Sequence, residues 1–141
     1  MITAIRIRGL VGISKDTKET FNRLRLRRKY SCIVLPNSSK QQEGMIRKVK
    51  DSIAYGEIDK ELFEKLIETR GQPIDKKKKM DSKKIVEELI KGKTYQELNL
   101  KPFFRLHPAR GGINSKKHFG KEKGVLGDNG KEINKLLERM L

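Results

Sequence analysis

The sequence has little of what most enzymes and secreted proteins depend on. It contains one cysteine, Cys32, and two histidines, His107 and His118, among 141 residues. A single cysteine excludes an internal disulfide and is typical of a protein of the reducing cytosol. No Cys-x-x-Cys or His-x-x-x-His pair is present to bind zinc, and the glycines fit neither a Walker loop nor a dinucleotide-binding fingerprint. The sequence therefore predicts no enzyme, no metal site and no cofactor.

Long apolar stretches are also missing. Hydrophobic residues make up 35% of the chain, and no apolar run approaches the roughly 20 residues that span a bilayer. Residues 1–13 carry charges within their apolar run and have no small-residue cleavage site, so they make a poor signal peptide. We expect a cytoplasmic protein with no membrane partner.

Acidic residues are few compared with basic ones. Lys and Arg number 34 against 18 Asp and Glu, which gives a net charge of +16 and a pI near 10.1. A surface that repels itself in this way is costly unless a polyanion neutralises it. Nucleic acid is the leading candidate for that polyanion and is favoured over the alternative, an anionic membrane surface.

Three short segments predict β-strands: residues 2–8, 30–35 and 52–58. The first alternates, with Arg6 on a polar face, while the other two are rich in apolar and β-branched residues. Cys32 lies within the second segment. It is expected to be a buried structural residue, because no neighbouring pattern would lower its pKa.

Two helices are expected between these strands. Ser14 can cap a helix whose apolar face holds Phe21 and Leu24, and a capping-box pattern over residues 39–42 opens a second helix. Residues 1–58 therefore read strand, helix, strand, helix, strand. This order predicts an α+β core with a three-stranded sheet and two helices on one face.

Residues 59–101 are predicted to form a helical appendage that packs on this core. Helices are expected after Asp59 and over residues 82–91, each with one apolar face, and another capping-box pattern lies at residues 94–97. The segment has twelve basic and nine acidic residues, a net charge of only +3. Its lysine run, Lys76–Lys79, either contacts nucleic acid or forms a solvated loop.

Residues 102–141 are predicted to form a basic, glycine-rich extension that ends in a helix from about Lys131. Within it, residues 103–127 hold both histidines, five glycines and six Lys or Arg against one acid, Glu122. Such a segment cannot bury enough apolar surface to fold alone. We expect a short strand at residues 103–108, then a long functional loop, then a helix that docks on the core.

The core carries two basic clusters that predict contact with nucleic acid. Five of the seven residues 23–29 are basic, whereas favourable charge at a helix C-terminus, worth roughly 0.3–1 kcal/mol each, accounts for only one or two of them. The outward face of the second helix provides the other cluster. The predicted RNA-binding residues of the core are Arg23, Arg25, Arg27, Arg28, Lys29, Lys40, Arg47, Lys48 and Lys50.

The extension adds groups suited to RNA. Arg105 and Arg110 can contact phosphates bidentately, and two adjacent glycines let the backbone approach a phosphate or a base. Phe103 and Phe119 could stack on unpaired bases, with core packing as the alternative. No RRM, KH or helix-turn-helix pattern is visible. The predicted RNA-binding residues of the extension are Arg105, His107, Arg110, Gly111, Gly112, Lys116, Lys117, His118, Lys121 and Lys123.

Motifs along nearly the whole chain resemble those of the archaeal members of the universal thirty family of large-subunit ribosomal proteins, whose eukaryotic counterpart is large-subunit protein seven. The resemblance rests on motifs found in order along the chain. They are IRIRG at 5–9, GMIRKV at 44–49, AYGEI at 54–58, ETRGQP at 68–73, RLHPARGG at 105–112, KHFGKEKGVLG at 117–127 and INKLLERM at 133–140.

The resemblance implies a ferredoxin-like βαβαβ core with a helical insertion and a C-terminal extension. It further implies a non-catalytic, ribosome-bound protein that binds large-subunit rRNA close to 5S rRNA and beside neighbouring large-subunit proteins. The long basic arm at the N-terminus of eukaryotic members has no counterpart before the first strand. The alternative function is a free-standing RNA chaperone or regulator.

Overall fold

The computed structural model describes residues 1–75 and 81–141, so the lysine run at Lys76–Lys79 lies outside the described residues. Within those ranges the chain forms a six-stranded sheet of order β4-β2-β1-β3-β6-β5. The strands are β1 Ile2–Arg6, β2 Ser31–Leu35, β3 Ile53–Glu57, β4 Phe104–Arg105, β5 Ser115–His118 and β6 Gly124–Asp128. The helices are α1 Lys15–Arg23, α2 Lys40–Lys48, α3 Lys60–Arg70, α4 Ser82–Ile90 and α5 Ile133–Glu138, the last preceded by a 3-10 turn at Gly130–Glu132.

The centre of the sheet is the strand, helix, strand, helix, strand unit expected from residues 1–58. β1 pairs antiparallel with both neighbours, with Ile5 opposite Cys32 of β2 and opposite Ala54 of β3. The two serine caps form as the sequence indicates, since the Ser14 hydroxyl accepts from the backbone N–H of Thr17, and α2 opens with a complete capping box. Asp59 occupies the N-cap position of α3 but makes no side-chain cap hydrogen bond. Each serine cap satisfies a backbone donor that the first turn of a helix leaves unpaired.

Helices cover both faces of the sheet. α1 and α2 lie on one face, where Phe21 and Ile46 pack in a buried cluster with Ala4. α3, α4 and α5 lie on the other face in a second cluster that includes Ile5 and Phe63. Because successive residues of a strand point to opposite faces, neighbouring residues of β1 serve the two clusters. None of the described helices has the length and apolar character required to cross a membrane.

The expectation of a three-stranded sheet was wrong, because the C-terminal extension adds β4, β5 and β6. β4 pairs antiparallel with β2, placing Phe104 opposite Cys32, and β6 pairs parallel with β3, placing Gly127 opposite Ala54. Residues 103–127 are thus not one long loop between a strand and a helix. They form both edges of the sheet.

One glycine explains why the last two strands can pair. A Cβ on Gly124 would lie 2.2 Å from the backbone oxygen of Lys117 and 2.4 Å from that of His118. β6 therefore approaches β5 at a distance that only glycine allows. The alternation of apolar and polar residues does not reveal such a strand, because its pairing depends on a close backbone approach at a glycine.

Candidate nucleic-acid interface

Arginines from two segments of the chain meet in one surface cleft with a volume of about 550 Å³. The cleft lies where α1 ends, beside the loop to β2 and the short strand β4. Among the residues that the structure describes, no Asp or Glu lines it. We call it the arginine cleft, and its charged lining consists of Arg23, Arg25, Arg27, Arg28 and Arg105.

Strand pairing brings Arg105 to the other four arginines. Ser31 of β2 lies opposite Arg105 of β4, and the backbone N–H of Leu106 donates to the Tyr30 oxygen at 3.0 Å. The Arg105 guanidinium carbon lies 5.8 Å from the ring centroid of Phe103, which also lines the cleft. This contact of a cation with an aromatic face favours an outward-held guanidinium.

The end of α1 shapes the chain around Arg25. The N–H of Leu26 donates to the Phe21 oxygen at 2.9 Å, and the N–H of Arg25 donates to the Asn22 oxygen at 3.1 Å. These two bonds form a Schellman motif, which requires the residue after the helix end to be left-handed. Arg25 occupies that position with φ of 61°. Glycine is the usual residue there, because left-handed backbone costs an L-residue about 1–2 kcal/mol.

Arg6 anchors the same segment from inside the protein. Its Nη1 donates to the carbonyl oxygens of Leu26 at 2.8 Å and Arg27 at 3.0 Å. Its Nε and Nη2 donate to the carbonyl oxygens of Arg8 and Gly9 in the loop after β1, each at 3.0 Å. The guanidinium carbon lies 4.1 Å above the ring of Phe21. Burial lowers the pKa of Arg6, and these oxygens replace the water it loses.

The expectation that Arg6 lies on a polar face of β1 was wrong, because the side chain is only 1% exposed. Helix α1 covers the face of β1 that Arg6 shares with Ala4. The alternation of β1 assigns Arg6 to a face, but it does not tell a solvated face from one covered by a helix. Sequence reasoning therefore missed the residue that positions the arginine cleft.

Most of the arginine cleft is available to an anionic ligand. Within the described part of the chain, Arg23 is the one cleft arginine with an ion pair, to Glu19 at 2.5 Å. All five cleft arginines are exposed. An exposed ion pair of this kind contributes little to stability and exchanges readily. The cleft thus presents fork-shaped donors that match phosphate oxygens.

Residues 107–112, the later part of the RLHPARGG motif, form a separate surface turn against the end of α5. Arg139 Nε donates to the Arg110 oxygen at 2.9 Å, and its Nη2 donates to the Gly112 oxygen. In return the N–H of Arg110 donates to the Arg139 oxygen at 2.8 Å. Gly111 and Gly112 have φ of 75° and 73°, so this turn needs both glycines. The turn fixes Arg110 and His107 on the surface, outside the arginine cleft.

The lysines of the extension lie at the opposite edge of the sheet. Five strand spacings separate β4 from β5, a distance of roughly 24 Å at about 4.8 Å per strand. Lys117 pairs with Glu122, and Nε2 of His118 lies 2.9 Å from a carboxylate oxygen of Asp51. Two predicted RNA-binding residues are therefore partly engaged within the protein, whereas Lys116, Lys121 and Lys123 are exposed without an ion pair among the described residues.

The remaining predicted residues lie on exposed surface outside the cleft. Lys40, Arg47 and Lys48 belong to α2, and Lys50 follows it. The Lys29 ammonium lies 4.7 Å from the ring centroid of Tyr30. The structure thus divides the predicted residues among the arginine cleft, the turn at residues 107–112, the β5 edge and α2. It does not gather them into one surface.

This architecture defines a basic α+β protein with a polycationic cleft, and comparison with known proteins gives its family. Residues 2–53 match the family described as Ribosomal protein L30p/L7e. The large ribosomal subunit protein uL30 of Archaeoglobus fulgidus is 38% identical over 99% of each chain. That of Nanoarchaeum equitans is 40% identical over 96% of each, and that of Methanobrevibacter smithii is 38% identical over 100% of each. The chain belongs to the uL30 family of large ribosomal subunit proteins.

Family membership confirms the resemblance seen in the motifs. It also confirms the expectation of a structural protein that is not an enzyme. The alternative of a free-standing RNA chaperone receives no support from these relatives, which carry the name of a ribosomal subunit protein.

Proposed function

We propose that this chain is a structural component of the large ribosomal subunit and that it holds folded rRNA through the arginine cleft. The observation that carries the proposal is the convergence of Arg25, Arg27, Arg28 and Arg105, which have no ion pair among the described residues, on one cleft without acidic lining. Arginine forks bind phosphate oxygens bidentately, which fixes both distance and orientation. Fixed contacts of this kind suit a folded RNA better than a flexible one.

The β5 edge provides a second RNA-binding surface in this proposal. Lys116, Lys121 and Lys123 lie across the width of the sheet from β4, at roughly 24 Å. Phosphate groups bound at both edges would belong to two segments of RNA, which the rigid sheet would hold at a constant separation. The turn at residues 107–112, with its close backbone approach and Arg110, would add a third such surface.

The finer assignments belong to the same proposal. Contact with 5S rRNA follows from the motif resemblance and is tested by crosslinking the protein in intact subunits and identifying the RNA attached to it. The helical segment at residues 59–101 has a net charge of only +3, so we assign it less RNA contact and more contact with neighbouring proteins. Ribosome binding would place the chain in the cytoplasm.

The test measures binding of the purified protein to purified large-subunit rRNA over a range of KCl concentrations. Replacing Arg27 and Arg105 by alanine removes hydrogen bonds to charged groups, which are worth about 1.5–3 kcal/mol each. We expect affinity to fall at least about tenfold. We also expect the plot of log K against log salt to become shallower by roughly 1 for each phosphate that the variant no longer neutralises.

The matched control removes the same charge elsewhere. Lys65 on α3 and Lys83 on α4 are exposed and belong to helices on the other face of the sheet. We expect the Lys65→Ala, Lys83→Ala variant to keep most of its affinity and nearly all of its salt dependence. An equal fall in affinity in both double variants would show that total charge, and not the arginine cleft, determines binding.

A further inference from the structure

An apolar groove with a volume of about 410 Å³ adjoins the arginine cleft and shares Arg23 and Arg25 with it. Its walls include Leu35, Met45 and the ring of Tyr95. The volume lies within the range of about 300–1,000 Å³ typical of small-ligand sites. Its charged lining consists of basic residues alone among the described part of the chain.

The groove exists because β4 is shorter than the strand it borders. β4 pairs with Ser31 and Cys32 only, so the following part of β2 has no strand beside it there. The Tyr95 hydroxyl instead donates to the Val34 oxygen at 2.6 Å. This bond holds the aromatic ring at the sheet edge, where it forms a fixed wall of the groove.

Two side-chain amides line the groove, and each of them uses one polar group in a hydrogen bond within the protein and has its other group available to a ligand. Asn37 Nδ2 donates to the Ile90 oxygen at 3.4 Å, and Gln42 Oε1 accepts from the N–H of Ser39 at 3.0 Å. In the described structure this leaves the Asn37 oxygen as an acceptor and the Gln42 amide N–H as a donor. Asn and Gln amides match the donor and acceptor pattern along the edge of a nucleobase.

We propose that this groove receives one unstacked base of the RNA whose phosphates occupy the arginine cleft. The proposal rests on the proposed function and names the ligand of the adjoining groove. Unpaired RNA bases are bound by stacking on aromatic side chains and by hydrogen bonds to their edges. Tyr95 and the two amides supply these features, and the shared arginines Arg23 and Arg25 place a phosphate site directly beside the base.

Neutral variants of the groove separate base binding from charge. Tyr95→Leu and Met45→Ala leave the net charge unchanged, so the salt dependence of binding to large-subunit rRNA should stay that of the wild type. Affinity should fall about fivefold or more for Tyr95→Leu, as when a stacking platform for one base is removed. Tyr95→Phe keeps the ring but loses its hydrogen bond to the Val34 oxygen, so its affinity should lie between those of the wild type and Tyr95→Leu.

Chemical probing of the RNA identifies the base directly. In the wild-type complex one unpaired nucleotide should be protected from dimethyl sulfate or carbodiimide, and it should become reactive with Tyr95→Leu and with Met45→Ala. Replacing that nucleotide by an abasic one should weaken the binding of the wild type more than that of Tyr95→Leu, in which only the two amides still contact the base. Thermal unfolding of each variant verifies that it is folded at the assay temperature.

Three results would overturn the inference. The first is unchanged affinity and an unchanged RNA footprint for both groove variants. The second is an equal fall in affinity for Tyr95→Phe and Tyr95→Leu, which would point to the fold and not to the ring. The third is a crosslink from position 45 in intact subunits to a protein and not to RNA. The Arg27→Ala, Arg105→Ala double variant separates this inference from the proposed function. If that variant lowers affinity and salt dependence while the groove variants do not, only the proposal of a base site is contradicted, and the proposed function stands.

Discussion

Arg25→Gly is expected to make the protein more stable and a weaker RNA binder at the same time. Arg25 follows the end of α1 with φ of 61°. The two hydrogen bonds of the Schellman motif, which are 2.9 and 3.1 Å long, fix that backbone conformation. Glycine adopts this backbone without strain. The arginine at this position therefore costs stability, and its side chain lines the arginine cleft.

The expected size follows from two opposing effects on stability. Removing the left-handed strain of an L-residue gains about 1–2 kcal/mol, and the greater freedom of glycine in the unfolded chain returns about 0.5–1 kcal/mol. The net gain of roughly 0.5–1 kcal/mol corresponds to a rise in Tm of about 2–4 °C for a chain of this size. Loss of the guanidinium should weaken RNA binding about tenfold or more.

Arg25→Ala provides the matched control, because it removes the same guanidinium and keeps a Cβ at positive φ. It should lose as much RNA affinity as Arg25→Gly while gaining no stability. Differential scanning calorimetry gives the Tm, and titration of large-subunit rRNA gives the affinity. A lower Tm for Arg25→Gly than for Arg25→Ala would refute the strain, and wild-type affinity in both variants would remove Arg25 from the interface.

Three further predictions concern the parts of the fold that support the interface. Arg6→Met should lower the free energy of unfolding by about 3 kcal/mol or more, since it leaves one buried and three partly buried carbonyl oxygens without their donor. It should also weaken RNA binding although the side chain is 1% exposed, and normal affinity in the folded variant would contradict its positioning role. Gly56→Ala would put a Cβ 2.1 Å from the Gly130 oxygen and should lower the free energy of unfolding, measured by chemical denaturation, by about 1–3 kcal/mol. The control Gly44→Ala lies in open space on α2 and should raise it by about 0.5–1 kcal/mol. Equal effects of the two variants would refute the close approach of Gly56 to Gly130. Burial raises the pKa of Cys32 to about 12, so the thiol should resist iodoacetamide at pH 8 until the protein unfolds. Its contribution to the free energy of unfolding should decline as the pH rises from about 9 towards 12, because the thiol ionises first in the unfolded chain. Rapid alkylation of the folded protein would contradict this prediction.

Local sequence signals determine the central part of the fold. Apolar periodicity and Ser caps place α1 and α2 between the first three strands, because each of these elements depends on residues close in the chain. The helices before and after residues 76–80 follow from the same reasoning. Helix α1 stops at Arg23, the first residue of the basic cluster at residues 23–29, and the arginines that follow it line the arginine cleft.

Pairings between residues distant in sequence are what local patterns miss. β6 pairs with β3 on one side and with β5 on the other, and its glycines lie at both pairings. Neither β5 nor β6 shows the usual alternation of apolar and polar residues. The interface has the same origin. Arg105 meets the arginines of residues 23–28 only because β4 pairs with β2, and Arg6 positions them only because α1 covers its face of β1.

The most direct test of the central claim is whether the arginine cleft keeps the protein on the large subunit. Wild-type protein and the Arg27→Ala, Arg105→Ala variant would be incorporated into subunits and sedimented through sucrose gradients of increasing salt. We expect the wild type to remain with the large subunit at salt concentrations that release the variant, and the Lys65→Ala, Lys83→Ala control to behave as the wild type. Release of all three proteins at the same salt concentration would contradict the account.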